Sequence, residues 1–230
     1  MDKFSDMTAY EMAVRFQQRS AEIHALQIQA YNVAKQRLKH FLQQNEGSKQ
    51  PAIVIDLDET VLNNIPLVAM GLTQGFDFTE WGEKWEEWVN AAEAELIPGS
   101  KEFLDYANYN NVTIFYVSNR LQKNLELTIE NLNKLNLPQV SSNNVLLLGD
   151  MGTKKERRQK IRKDFEIVML IGNSLYDLSS EFIQDSVEKQ HKIVMKKANH
   201  FGDKFIILPN SAYGDYWVDA KLHPWKENKY

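Results

Sequence analysis

At 230 residues, with 43% hydrophobic and 25% charged content, the chain fits one globular domain carrying a large insertion, and this composition argues against disorder. A net charge of -4 speaks against a non-specific binder of nucleic-acid polymers, which needs a basic surface to neutralise phosphates. The lack of cysteine excludes disulfides, thiolate zinc sites and thiol catalysis, no apolar run reaches the ~18 residues of a membrane span, and Met1-Asp2-Lys3-Phe4-Ser5 carries no signal-peptide core.

From residue 8 to about residue 42, Met12, Ala13, Phe16, Ile23, Leu26, Ala30, Tyr31, Ala34, Leu38 and Phe41 recur at helical spacing, and Thr8 with Glu11 forms a capping-box pattern. This reads as one long helix, or two joined end to end. The polar stretch 43–50, containing Gly47, is the expected linker into a first strand, Ala52-Ile53-Val54-Ile55. That strand runs directly into Asp56-Leu57-Asp58-Glu59-Thr60. The stretch 63–98 is too long for a plain connection. Trp81, Trp85 and Trp88 recur there at i, i+4 and i+7 behind an N-cap expected at Thr79, which places a helical insertion over the active edge of the sheet. Further strands are expected at 112–117, 145–148, 167–171 and 205–208, with helical patterns between them such as 121–135 and 175–187. Strands alternating with helices imply right-handed crossovers and an α/β fold with a doubly wound parallel sheet.

Open α/β sheets place their chemistry at the carboxyl ends of the strands, and an Ile/Val run ending in charge reads as a central one. Asp56 stands where a carboxylate could attack phosphorus and form an aspartyl-phosphate, given a metal to offset charge repulsion. Asp58, two residues on in an extended segment, shares its face and suits a general acid and base. The plain alternative is a strand end whose Asp and Thr cap the next turn. Later strand ends offer Ser118 and Asn119 to phosphoryl oxygens, with Arg120 alongside. Lys154 is placed to neutralise both the phosphate and Asp56, whereas most other charges in 154–160 read as a solvated helix face. Gly172 begins a turn carrying Asn173 and Asp177, oxygen donors of the kind Mg²⁺ takes. Asn173 would coordinate through its amide oxygen, and Asp177 would hold metal-bound water or Lys154.

Asp56-Leu57-Asp58-Glu59-Thr60-Val61-Leu62, Val117-Ser118-Asn119-Arg120, Lys154 and Gly172-Asn173-Ser174-Leu175-Tyr176-Asp177 together resemble the four motifs of the haloacid dehalogenase superfamily. More narrowly, the chain resembles the class C acid phosphatases, bacterial secreted or lipoprotein phosphatases of the four-aspartate group. The likeness extends to residues 18–26, Ile97-Pro98-Gly99, residues 201–210 and Tyr213-Gly214-Asp215. It implies a Mg²⁺-dependent acid phosphatase acting on small phosphomonoesters, 5′-nucleotides among them. Asp56 would be the nucleophile, Asp58 the acid/base, and Ser118 and Lys154 the phosphate ligands. Mg²⁺ would be held by Asp56, the Asp58 carbonyl and the position of Asn173. Trp85 and Tyr213 match positions that sandwich an aromatic leaving group, whereas Trp81 and Trp88 read as packing within the insertion.

Two positions depart from the pattern. The resemblance expects Asp where Asn173 stands, and Asp is common where Asn63 stands. At Asn173 a full negative charge is lost, so metal affinity should fall and phosphate should be repelled less. This keeps open a second reading, a weakened or inactive protein that binds phosphate or nucleotide. The resemblance also implies export to a periplasmic or cell-surface setting, with leader and anchor trimmed. A homodimer through the first helix and the insertion is compatible with the sequence, but no residue demands it.

Overall fold

The structure, a computed structural model, describes residues 3–44, 49–75, 80–149, 152–214, 217 and 220, with side chains from residue 10 onward. The Thr8 side chain, the linker around Gly47, the N-cap expected at Thr79, and Asp215 lie outside the described residues.

Helical spacing persists through the N-terminal region, but Ser20 divides it into α1 (Lys3–Arg19) and α2 (Ala21–Gln44). The Ser20 hydroxyl accepts from the Ile23 N–H at 3.1 Å and so caps the second helix. Of the two readings, the pair joined end to end is the one observed. α2 buries Ile23, Tyr31, Ala34 and Leu38.

Next come β1 (Gln50–Ile55), β2 (Leu62–Asn63), α3 (Ile65–Gln74), α4 (Trp81–Ala91) and β3 (Glu95–Leu96). β2 and β3 pair antiparallel, Leu62 with Leu96 and Asn63 with Glu95, so both ends of the insertion meet at one short ribbon. α5 (Ser100–Tyr109), β4 (Thr113–Leu121), α6 (Leu125–Lys134), β5 (Val145–Leu148), α7 (Lys154–Asp164) and β6 (Phe165–Gly172) follow. α8 (Leu175–Leu178), α9 (Val187–Lys196) and β7 (Phe205–Ile207) complete the described elements.

Among the described residues, five strands form one parallel sheet in the order β5-β4-β1-β6-β7. The chain winds outward from β1 to one edge, then returns to β6 at the other side of β1. The doubly wound arrangement therefore switches direction at β1, and ligands of such sheets bind at that point. Successive residues of β1 feed opposite faces, as strand geometry requires. Ile53 and Ile55 enter a core with Tyr31, Leu38, Phe103 and Tyr116; Ala52 and Val54 enter another with Phe115, Ile161 and Phe182.

The helix expected over 175–187 is broken into α8, a 3-10 turn at Ser180–Phe182, and α9, which starts only at Val187. Ser179 and Ser186 are both extended, and their hydroxyls accept from the N–H groups of Glu181 and Lys189. Buried Leu178 and Phe182 carry helical periodicity across the breaks, but serine capping wins over that spacing. β4 also runs further than expected, so Ser118, Asn119 and Arg120 lie within it. Its register with β5 shifts between Val117 and Leu121, which turns these residues away from regular pairing.

Candidate active site

Backbone pairing fixes Asp56. Its N–H donates to the Ile171 carbonyl at 2.9 Å, extending the β1/β6 ladder one residue past Ile55. The chain then folds back on itself, with the Leu57 carbonyl accepting from the N–H groups of Thr60, Val61 and Leu62 at 3.2, 2.8 and 2.8 Å. Glu59 makes this possible at φ 52°, a left-handed conformation uncommon for glutamate. Tyr31 of α2 braces the turn by donating to the Thr60 carbonyl.

The residues singled out from sequence meet at one cavity of about 720 Å³. Asp56, Asp58, Lys154, Asn173 and Asp177 line it on the sheet side, with Asn119 and Arg120 from β4. Trp85 and Tyr213 form part of an aromatic wall to which Tyr10, Trp81 and Tyr176 also contribute, three residues not assigned to the site from sequence. Ser118, fully buried, reaches the cavity's chemistry by donating to Asp58 Oδ2 at 3.0 Å.

Lys154 is the first residue of α7, and a reciprocal box of Thr153 and Glu156 holds that helix end: the Thr153 N–H donates to Glu156 Oε2 at 2.7 Å and the Glu156 N–H to Thr153 Oγ1. The Lys154 ammonium donates to Asp56 Oδ1 and, at 2.6 Å, to Asp177 Oδ1. Asp177 Oδ2 accepts from the Ser174 N–H at 2.9 Å, and a Cβ on Gly172 would overlap the Asp177 side chain, which explains glycine at this close approach.

Two buried carboxylates thus share one ammonium. Burial first, then the charge of Asp177, pushes Asp56 up to about 7, with Lys154 opposing and Asp58 adding to the rise. Burial works against the Lys154 charge, yet Asp177 and Asp56 outweigh it and hold the ammonium above its ordinary value. The donors available to a metal are the Asp56 carboxylate, the Asp58 carbonyl and the Asn173 amide, all hard oxygen, and the surplus of negative charge fits a divalent cation among them. Among the described residues no group of three His, Cys, Asp or Glu is placed to hold a metal; here the set is one carboxylate, one backbone carbonyl and one amide.

The solvated face expected for 154–160 holds for Lys155 and Lys160 but not for Arg157 and Arg158. Arg157 is wholly buried: Nη1 donates to the carbonyls of Ser118 (2.6 Å) and Leu146 (2.8 Å), and Nη2 to Asn119 Oδ1 (2.9 Å). Arg158 Nη1 donates to the carbonyls of Asp177 (2.8 Å) and Tyr176 (3.2 Å). Buried carbonyls need donors, and the guanidinium fork supplies several at once. The one sequence signal was spacing, since Arg157 and Arg158 lie three and four residues beyond Lys154 and share its side of the helix.

Arg120, also buried, is ion-paired with Asp58, Nε at 2.9 Å and Nη2 at 2.8 Å from Oδ1, and its guanidinium lies 5.5 Å from the centre of the Trp85 ring. It reaches the cavity as a partner of Asp58, not as a free cation beside Ser118.

A family model described as HAD superfamily, subfamily IIIB (acid phosphatase), matches residues 4–216. A solved structure of the class C acid phosphatase from Bacillus anthracis is similar to this chain with a TM-score of 0.86 and 38% identity, over 91% of this chain and 87% of that one. A structure of that Bacillus anthracis enzyme with tungstate bound matches with the same TM-score, identity and coverage.

Proposed function

The chain belongs to the HAD superfamily, subfamily IIIB, and is a phosphomonoesterase of the acid phosphatase type; from that premise we propose that it works through an Asp56 phosphoenzyme on 5′-nucleotides and similar aromatic monoesters. The observation that carries this reading is the convergence of Asp56, Asp58 and Lys154 on one cavity at the switch point of the sheet.

In the first half-reaction an Asp56 carboxylate oxygen attacks phosphorus. The phosphorus–ester oxygen bond breaks, its electron pair goes to the leaving oxygen, and that oxygen takes a proton from Asp58. In the second, Asp58 takes a proton from water as the water oxygen attacks phosphorus. The bond to Asp56 breaks, and phosphate leaves with the nucleophile restored. The Ser118 hydroxyl and the Lys154 ammonium hold phosphoryl oxygens through both. Asp56, the Asp58 carbonyl and Asn173 would hold Mg²⁺, which when bound offsets the charge of nucleophile and phosphate, and Asp177 keeps Lys154 in place. The tungstate bound by the Bacillus anthracis relative, a tetrahedral oxyanion, supports a phosphate site in this fold. The aromatic wall of Trp85 and Tyr213 supports a flat leaving group such as a nucleobase.

Asn173 favours one second reading, a binder of phosphate or nucleotide with little turnover. Hydrolysis of p-nitrophenyl phosphate and of AMP, with Mg²⁺ and with chelator, in the chain as it stands and in Asn173→Asp, decides between them. Metal-dependent turnover in the chain as it stands supports the enzyme; turnover only in Asn173→Asp shows an enzyme disabled at the metal by Asn173, and AMP binding without turnover in both supports the binder. An exported setting, periplasmic or on the cell surface, is also proposed and rests on sequence likeness. No helix of the described residues is long and apolar enough to cross a membrane.

A further inference from the structure

We propose that Trp88 and Asn64 are positioning residues that determine which oxygen of Asp58 carries the transferred proton, and that through them the insertion holds the acid in its working orientation. This rests on the reading of Asp58 as general acid.

Asn64 precedes α3, is 2% exposed, and donates its backbone N–H to Glu59 Oε1 at 2.6 Å. Its side chain lies between the insertion and the catalytic turn. Asn64 Oδ1 accepts from the Trp88 indole N–H at 2.8 Å and from Arg120 Nη2 at 3.3 Å, while Nδ2 donates to Asp58 Oδ1 at 2.9 Å. An indole nitrogen and a guanidinium can only donate, so they pin the amide oxygen to their side and oblige the amide nitrogen to face Asp58.

Asp58 Oδ1 thereby receives two N–H donors, one from Asn64 and one from Arg120, and Arg120 Nη2 stands 2.8 Å from it in the ion pair. An oxygen so filled has no room for a proton of its own. Oδ2 meets instead the Ser118 hydroxyl at 3.0 Å, a rotatable group that can donate or accept. The proton therefore rides on Oδ2, on the side of the phosphate ligand Ser118.

Trp88 and Trp85 lie three residues apart on one face of α4, and each touches one of the two groups that hold Asp58: Trp88 the Asn64 amide, Trp85 the Arg120 guanidinium. Without the indole N–H the amide oxygen keeps only the longer contact to Arg120 Nη2, and whenever the amide turns its oxygen faces Asp58 Oδ1 and draws the proton there, away from Ser118.

Trp88→Phe keeps a ring and removes the N–H; Asn64→Asp keeps the acceptor for Trp88 and replaces the donor toward Asp58 with an oxygen. The test is kcat/KM for phenyl phosphate, whose leaving group needs the proton, and for 2,4-dinitrophenyl phosphate, whose leaving group departs without it. The ratio of the second to the first is expected to rise about tenfold over the unaltered chain in each variant that folds, part of the ~10²–10⁴ that general acid catalysis supplies. Equal losses on both esters, or no loss on either, would overturn the assignment, because a merely structural role does not sense the leaving group. An unaltered chain that turns over neither ester would refute the enzymatic reading itself, an outcome distinct from failure of the positioning role.

Discussion

Glu59 is the most constrained side chain of the catalytic turn. It is fully buried with positive φ, and among the described residues its Oε2 has no hydrogen-bond partner. Burial, reinforced by the charge of Asp58, pushes its carboxyl well above its ordinary value of 4.5 despite the hydrogen bond from Asn64. A carboxyl raised on folding stabilises the fold fully below its unfolded value, and that contribution is lost as pH rises toward the folded one. Glu59→Gln does not titrate, so its Tm minus that of the unaltered chain should climb as pH increases above 4.5. A difference that stays constant across pH 4–8 in thermal scans would show that Glu59 is charged in the fold. At Asn173 the expected effect concerns charge alone. Asn173→Asp should tighten Mg²⁺ about tenfold, read as the Mg²⁺ concentration giving half-maximal hydrolysis, because hard cations bind more tightly as ligand charge rises. Single residues were also where sequence reasoning stopped: Asp56, Asp58 and Lys154 are legible because each follows an apolar run or opens a helix. Arg157 looks no different from exposed Lys155, and Asn64 no different from any turn residue, since the partners that fix them, the Ser118 carbonyl for one and Trp88 and Arg120 for the other, come from distant segments.

Elements were legible where a buried face has a single period. The continuous apolar runs of β1, β5 and β6 are plain because parallel strands are covered on both faces. Serine hid the breaks, since Ser20, Ser179 and Ser186 interrupt helical spacing through hydroxyl contacts that no hydrophobic pattern records. The same device has a functional use at α7, whose first residue is Lys154. Thr153→Ala removes one half of the box that holds this helix end, at a cost of about 1 kcal/mol. The expected result is a Tm lower by ~2–4 °C together with reduced kcat/KM, because the ammonium sits in the turn that frays. Equal activity in folded Thr153→Ala would show that Asp56 and Asp177 hold Lys154 unaided.

At the scale of the whole molecule, four segments from different strands deliver charge to one place, so stability and the site are linked. Asp56, raised from 3.8 to about 7, stabilises the metal-free protein below pH 4 and less at each step upward through pH 7. In chelator, Tm is expected to fall over that window by ~2–4 °C for each kcal/mol lost, and Asp56→Asn should flatten the decline. Added Mg²⁺ should restore Tm most at the neutral end, where Asp56 gains its charge. A decline unchanged in Asp56→Asn would place the titrating group elsewhere. The two-residue ribbon of β2 and β3 has a consequence for descent as well as for shape. Because Leu62 with Leu96 and Asn63 with Glu95 bring the two ends of the insertion side by side, everything between them forms a cassette with a fixed socket. Such a cassette can be enlarged at its far side without disturbing the sheet beneath, provided Asn64 and Trp88 keep their hold on Asp58, so substrate preference can drift on one clock and reaction chemistry on another.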